Sequence, residues 1–492
     1  MHPSNTINHI RMHHNSGLTR AWIALSLGVA LPAASLAAQT QFTIPKLPVE
    51  RYVMPNGLTV ILSPDHSAHV AAVDIWYHVG SKNELPGRTG FAHLFEHVMF
   101  QGSQHIPYGV HFKTVENAGG NLNGSTWNDR TNYFETLPSN ELATALWLES
   151  DRMGYLLPAL DQAKLDAQRE VVKNERRERV DNVPFGSESE VISKAMYPPS
   201  NPYSWPVIGS MADLSAASLE DVRAFFRRYY APTNATLVVT GDIDPAATKK
   251  LIEQYFGPIP RGPEITRPVV AKVTLPAEKR LVLEDPRATQ AQLTISWPTV
   301  GNVDADDAPL TAVARILTQD RTSRLTKLLM YDRQLASRVS ASQNDADAEN
   351  AGQFTISVTP RPNVSLTEIE TLIDSTIASL ASSPPAAKEC DRFKNFERVS
   401  AVVGIQSALG KAEVLAEGQT FFNDPLHYVK ETEEALAVTP ADVARVINEY
   451  LTHGRVVVSM VPAGKLDKIS KPELPYTNVT PAPEAAPAKA GN

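Results

Sequence analysis

The chain of 492 residues has one cysteine, Cys390. That excludes an intramolecular disulfide and any cysteine-built metal site such as a zinc ribbon. A metal held by this sequence must rely on histidine and carboxylate. Charge of one sign is also missing: 54 acids against 46 bases give a formal net charge of −8, spread along the chain. No basic face for nucleic acid and no long single-sign tail results. Beyond residue 40 no stretch approaches the roughly 18 apolar residues of a membrane span, so no stable membrane insertion is expected of the mature chain. With 42% hydrophobic and 20% charged residues, the sequence suits two or three globular domains with buried cores.

The first 40 residues have a different character. Arg11 and Arg20 precede "AWIALSLGVALPAASLAAQ", an apolar run that ends in small residues. This order of charge, apolar core and cleavage site predicts a secretory signal peptide over 1–38, cut after Ala37 or Ala38. Export follows, to the periplasm in a cell with two membranes. At the far end "PAPEAAPAKAGN" is rich in proline and alanine, which predicts a disordered tail over 471–492.

Between these ends the chain repeats itself. "VERYVMPNGLTVILSPD" offers two alternating runs around a hairpin turn signal, and "VAAVDIWYHVGS" follows as a strand ending in Gly and Ser. "RLVLEDPRATQAQLTISWPTVGN" and "DDAPLTAVARILTQD" show the same order further on. Aligning Trp76 with Trp297 brings Val79 onto Val300 and Gly80 onto Gly301. The ends match as well, "ATLVVTGDIDP" against "GRVVVSMVPAG". The pattern predicts a duplicated α+β unit of roughly 210 residues. The first copy spans 39–262, a proline-dense linker 263–275 and the second copy 276–470.

"FAHLFEHVMF", residues 91–100, places His93 and His97 four apart, with Glu96 just ahead of the second. The stretch reads as a buried helix, where positions i and i+4 lie on one face and both imidazoles reach one ion. Glu96 flanks that face, close enough to take a proton from water without ligating. Two neutral imidazoles and a carboxylate suit zinc, whose open fourth position brings bound water toward a pKa of about 7. The pattern H-x-x-E-H is an inverted metallopeptidase signature. In the second copy His93 falls on Ala314, Glu96 on Leu317 and His97 on Thr318, so no ligand is present there. A third ligand has to come from elsewhere. The helical run 165–182 carries Glu170, Glu175 and Glu178, and spacing alone leaves all three open.

"HLFEHVMF", "REVVKNERRE", "GGNLNGSTWNDRTNYFETLP" and "LVVTGDIDP" together make the sequence similar to the pitrilysin and insulinase family of inverted-motif zinc peptidases, near its mitochondrial-processing-peptidase-like bacterial branch. The resemblance covers about residues 46–465. It implies two α/β sandwich units, each an antiparallel-rich mixed sheet packed by helices, the first bearing Zn2+ and the second degenerate. It also implies that His93, His97 and Glu175 hold the metal and that Glu96 is the general base. Gln168 stands where the family usually has a further acid. The strand after the double glycine would pair with an extended peptide, with Asn123, Gly124 and Ser125 nearest the metal. Phe100 resembles a residue lining the pocket before the cleaved bond. Family assemblies enclose substrate in a clamshell chamber and use an Arg and Tyr pair. In "LLMYDRQLASRVSA" Tyr331 and Ser337 occupy those places, with Arg333 and Arg338 nearby. The expected partner is therefore a homologous inactive subunit that supplies the pair in a heterodimer, with a homodimer as the alternative assembly. The function implied is an exported zinc endopeptidase acting on peptides or unfolded segments. The alternative is a non-catalytic scaffold or peptide-binding subunit.

Overall fold

A computed structural model describes residues 42–268, 270–344 and 348–479. The expected signal peptide and residues 480–492 of the expected tail lie outside them. The described residues from 44 onward form one compact unit.

The first half contributes strands β1 (Glu50–Val53), β2 (Thr59–Pro64), β3 (Val70–Tyr77), β4 (Asn121–Thr126), β5 (Thr131–Pro138) and β6 (Ala235–Gly241). Its helices are α1 (Phe91–Val98), α2 (Val110–Asn117), α3 (Leu142–Ala159), α4 (Gln162–Arg176), α5 (Glu188–Met196), α6 (Met211–Ala216), α7 (Leu219–Tyr229) and α8 (Pro245–Phe256). The second half contributes β7 (Lys279–Asp285), β8 (Gln292–Thr299), β9 (Ala336–Gln343), β10 (Gly352–Pro360), β11 (Val456–Pro462) and β12 (Thr477–Asn478). Helices α9 (Asp307–Thr318), α10 (Leu366–Ser382), α11 (Ala387–Gly404), α12 (Ala408–Phe422), α13 (His427–Ala437) and α14 (Pro440–Val446) pack with them. Between α8 and β7 the described residues form neither helix nor strand.

The two sheets run β1-β2-β6-β3-β5-β4 and β12-β7-β11-β8-β10-β9. Five strands correspond in order and in direction: β2 lies parallel to β6 as β7 does to β11, and the other neighbours among these five are antiparallel in both sheets. These are two mixed-sheet α/β units with helices. Glycine marks the duplication most sharply. A Cβ on Gly80 would lie 2.2 Å from the Trp127 carbonyl oxygen, and one on Gly301 would lie 2.2 Å from that of Glu349. Each copy therefore needs glycine where backbone approaches backbone.

Apolar alternation builds each core. Tyr77 and Tyr133 on one face of the first sheet meet Phe95 of α1 and Tyr230, all nearly inaccessible to solvent. Burying such a side chain contributes about 1.5–3 kcal/mol. The halves also exchange helices: α12 lies across β3 and β6 of the first sheet, while α5 reaches β8 and β11 of the second.

Two expectations change here. Residues 471–479 of the expected tail are ordered instead: Lys471 pairs with Glu370 at 2.8 Å and Thr477–Asn478 adds to β7. The helix expected over 165–182 keeps α geometry only to Arg176 and continues as a π-helical turn over Arg177–Asp181.

Candidate metal centre

Helix α1 begins where Gly90 adopts φ 87°, a left-handed conformation. A Cβ there would sit 2.7 Å from the Ile208 carbonyl oxygen. Glu84 closes the helix start, its carboxylate accepting from the N–H of Gly90 at 2.9 Å and of Ala92 at 2.7 Å. Those donors have no partner inside the helix, and an anion complements the helix N-terminus. Nothing in "SKNELPGRTG" marks Glu84 for this role beyond an acid ahead of a helix.

The start fixes the helix rotation, and both histidines then face α4. His97 Nε2 lies 3.2 Å and His93 Nε2 3.7 Å from the same oxygen of Glu175. The three ligand atoms fall within 4.8 Å of one another. Donors about 2.0–2.1 Å from a shared tetrahedral zinc stand ~3.3 Å apart, so these residues fit that ion. Glu170 instead pairs with Lys173 on an exposed face, and Glu178 is exposed. Arg179 holds the other Glu175 oxygen at 2.7 Å, which turns the free one toward the imidazoles. Gln168 is buried on the same helix.

The electrostatics match a neutral His93 beside an ionised Glu175. Burial, helped by the neighbouring His97 ring, lowers His93 to about 4. The hydrogen bond with His97 holds Glu175 below the usual carboxylate range. His93 Nδ1 is buried without a hydrogen-bond partner. Glu96 is raised by burial and partly drawn back by Thr126, whose Oγ1 donates to Glu96 Oε2 at 2.5 Å.

In the second half the same helix position is apolar. Ala314 and Leu317 are buried in the core, and the Thr318 hydroxyl accepts from the Ala341 N–H at 2.9 Å.

Two family models match the chain: Insulinase (Peptidase family M16) over residues 59–199 and Peptidase M16 inactive domain over residues 216–396. The chain belongs to the pitrilysin/insulinase family. Among relatives of this M16 chain, Zinc protease PqqE of Helicobacter pylori is 28% identical over 420 residues, 85% of this chain and 92% of that one. Mitochondrial-processing peptidase subunit beta of Blastocladiella emersonii is 26% identical over 427 residues, 83% and 87% of the two chains. A solved protease from Helicobacter pylori superposes with a TM-score of 0.78 at 26% identity, covering 85% of the M16 chain and 100% of its own.

The other expected residues of the M16 chain are placed as follows. Asn123, Gly124 and Ser125 lie on β4, the outermost strand of the first sheet. A Cβ on Gly124 would approach Glu96 Cγ to 3.3 Å and Tyr133 to 3.1 Å, so this strand runs directly beside the acid. Phe100 packs on Phe112, with ring centres 5.0 Å apart, and under the Arg152 guanidinium at 5.0 Å. Tyr331 is exposed beneath Arg321, and Ser337 donates to the Thr359 carbonyl at 3.2 Å. Thr126 and Glu84 were not singled out from sequence; a hydroxyl one residue beyond Ser125 was the available signal for the first.

Proposed function

We propose that this chain is a zinc-dependent endopeptidase, with His93, His97 and Glu175 holding the ion and Glu96 as general base. The observation that carries the reading is the convergence of three ligand atoms, one of them from an acid, beside a second acid, Glu96, that faces the edge strand. Zinc, when bound, supplies Lewis acidity that makes water a better nucleophile and polarises a peptide carbonyl.

The chain's own residues supply the rest. Glu96 accepts the proton of the attacking water and passes it to the leaving amine. Thr126 fixes the carboxylate oxygen that is not receiving that proton. The free edge of β4 aligns an extended peptide through backbone pairing, which reads shape more than side chains and suits unfolded segments. Asn123, Gly124 and Ser125 line this edge, and Phe100 borders the pocket for the residue before the cleaved bond.

The reading includes export to the periplasm, supported by the charge and apolar order of residues 11–38. It also includes a partner. Tyr331 and Ser337 stand where the family's Arg and Tyr pair is expected, so an inactive relative supplies that pair to a shared chamber. A relative whose name makes it one subunit of a peptidase supports this.

The test is metal analysis of the purified mature chain together with cleavage of unstructured peptides, with and without a chelator. One zinc per chain and chelator-sensitive cleavage are expected. A zinc-free chain, or cleavage indifferent to the chelator, overturns the reading.

A further inference from the structure

Among the described residues the second half brings together no group of metal-binding side chains like that of the first, yet its helix α12 lies on the first sheet, on the face opposite α1. One residue of α12 reaches the strand that flanks the metal centre. Glu413 Oε1 accepts from Asn132 Nδ2 at 3.3 Å, and Asn132 belongs to β5, directly across from Ser125 of β4.

Asn132 is fully enclosed and saturated. Its nitrogen donates both hydrogens, to Glu413 and to Asp74 Oδ1 at 3.1 Å. Its oxygen accepts twice, from Ser125 Oγ at 2.7 Å and from Arg130 at 2.9 Å. An amide has two donors and two acceptor lone pairs, and all four are used here. The reversed amide would aim its oxygen at two carboxyls, so only one orientation is allowed. Arg130 also bonds the Ser125 hydroxyl and, at 3.3 Å, its carbonyl oxygen. The side chains of Ser125 and Thr126 leave the strand on opposite faces. Ser125 therefore meets the junction under α12, while Thr126 meets Glu96 on the catalytic side.

Glu413 is not needed to attach α12. Lys411 pairs with Asp65 at 2.6 Å, Thr240 Oγ1 donates to the Ala408 carbonyl at 2.6 Å, and Phe421 meets the Trp76 ring edge-on at 6.1 Å. Two carboxyls on one buried amide are costly to desolvate, and apolar packing would join the halves without that cost. What the arrangement adds is direction.

We infer that Glu413 is a positioning residue, supplied by the second half, that fixes the conformation of β4 through Asn132 and so sets Thr126 against Glu96. The inference rests on the peptidase reading for its consequence in catalysis, but not for its effect on the strand.

The experiment uses full chains carrying Glu413→Ala, Glu413→Gln, Asn132→Ala and the Glu413→Ala/Asn132→Ala pair. Hydrogen exchange of residues 121–126, zinc content, melting temperature and the peptide KM and kcat are read for each. Glu413→Ala should speed exchange in β4 by about tenfold. Peptide kcat/KM should fall by a similar factor of about ten, KM rising as the edge loses its set and kcat falling as Thr126 leaves Glu96, with zinc and melting unchanged. Glu413→Gln should restore both readouts toward wild type, since its amide oxygen accepts the same bond. The double variant should equal Asn132→Ala alone, the signature of one shared path. Unchanged β4 exchange in Glu413→Ala, or additive effects of the two substitutions, overturns the inference. If exchange responds as described while no protein cleaves peptide, the peptidase reading fails and the strand relay stands.

Discussion

Thr126 Oγ1 and Glu96 Oε2 are 2.5 Å apart, a bond that joins the edge strand β4 to the acid beside the two histidines. A hydroxyl donating to a carboxylate is among the stronger hydrogen bonds, and it leaves the second Glu96 oxygen free. Replacing Thr126 by Val keeps the shape and removes the donor. Peptide turnover should fall about tenfold, because a freely rotating base spends less time in line with the attacking water. Zinc content should stay at the wild-type value, and Thr126→Ser should recover most of the rate. Steady-state kinetics with parallel metal analysis decides.

Glu96 and its neighbours should separate cleanly by substitution. Glu96→Gln retains the metal, since the ligand set His93, His97 and Glu175 is untouched, but loses the proton acceptor. Turnover should drop by roughly three or more powers of ten. His97→Ala removes a donor from a three-residue site and should lose the zinc itself. A Glu96→Gln protein that cleaves peptides normally would show that the proton goes elsewhere.

Much of this centre was legible because helix periodicity is local: i and i+4 on one face follow from 3.6 residues per turn, and the structure puts His93 and His97 there. Glu175 was not legible from spacing, since Glu170 and Glu178 share its charged run. What selects it is the rotation of α4 and the grip of Arg179, both products of packing. The repeated strand order was readable in Trp76 and Trp297, Gly80 and Gly301. The passage of α12 onto the opposite sheet was not, because Glu413 and Asn132 are 281 residues apart and no period links them. The π-helical turn after Arg176 and the strand at Thr477–Asn478 were missed for a related reason. The strand depends on β7, far earlier in the chain, and nothing in the local sequence marks the π turn.

The second half carries an acid-sensitive cluster. Glu370 is fully buried and accepts from Arg280 at 2.7 and 3.0 Å, Arg455 at 3.0 Å and Ser470 at 2.5 Å. Burial pushes its carboxyl up, but these bonds together with Lys471 outweigh it and bring it to about 2. A depressed carboxyl contributes stability above its unfolded value of about 4.3, and that contribution is lost as pH falls from there toward the folded value. Urea denaturation of the wild type should therefore show stability falling below about pH 4.5. Glu370→Gln leaves Arg280 and Arg455 short of a counter-charge and should cost about 3 kcal/mol at neutral pH. It should also flatten the acid limb.

The first half carries the opposite sign. Glu135 and Glu149 are fully buried near Arg152, which bonds Glu149, while His111 Nε2 meets Glu135 at 2.5 Å. Burial raises both carboxyls to about 7, although Arg152 opposes the shift. These two carboxyls bind protons more tightly in the folded state than in the unfolded one, so their contribution to stability declines as pH rises from about 4.5 through 7, while His111, lowered to about 3 by burial, works against it below about 6.5. Arg152→Leu removes the guanidinium from this cluster and leaves two carboxyls to be buried together. The expected loss is about 3–5 kcal/mol when both are charged, and less when protonation relieves them. Denaturation of Arg152→Leu at pH 5 and pH 8 should therefore show the larger deficit at pH 8. A deficit independent of pH would mean that Arg152 acts only through its packing on Phe100 and Tyr133, whose ring centres lie 5.0 and 4.3 Å from the guanidinium.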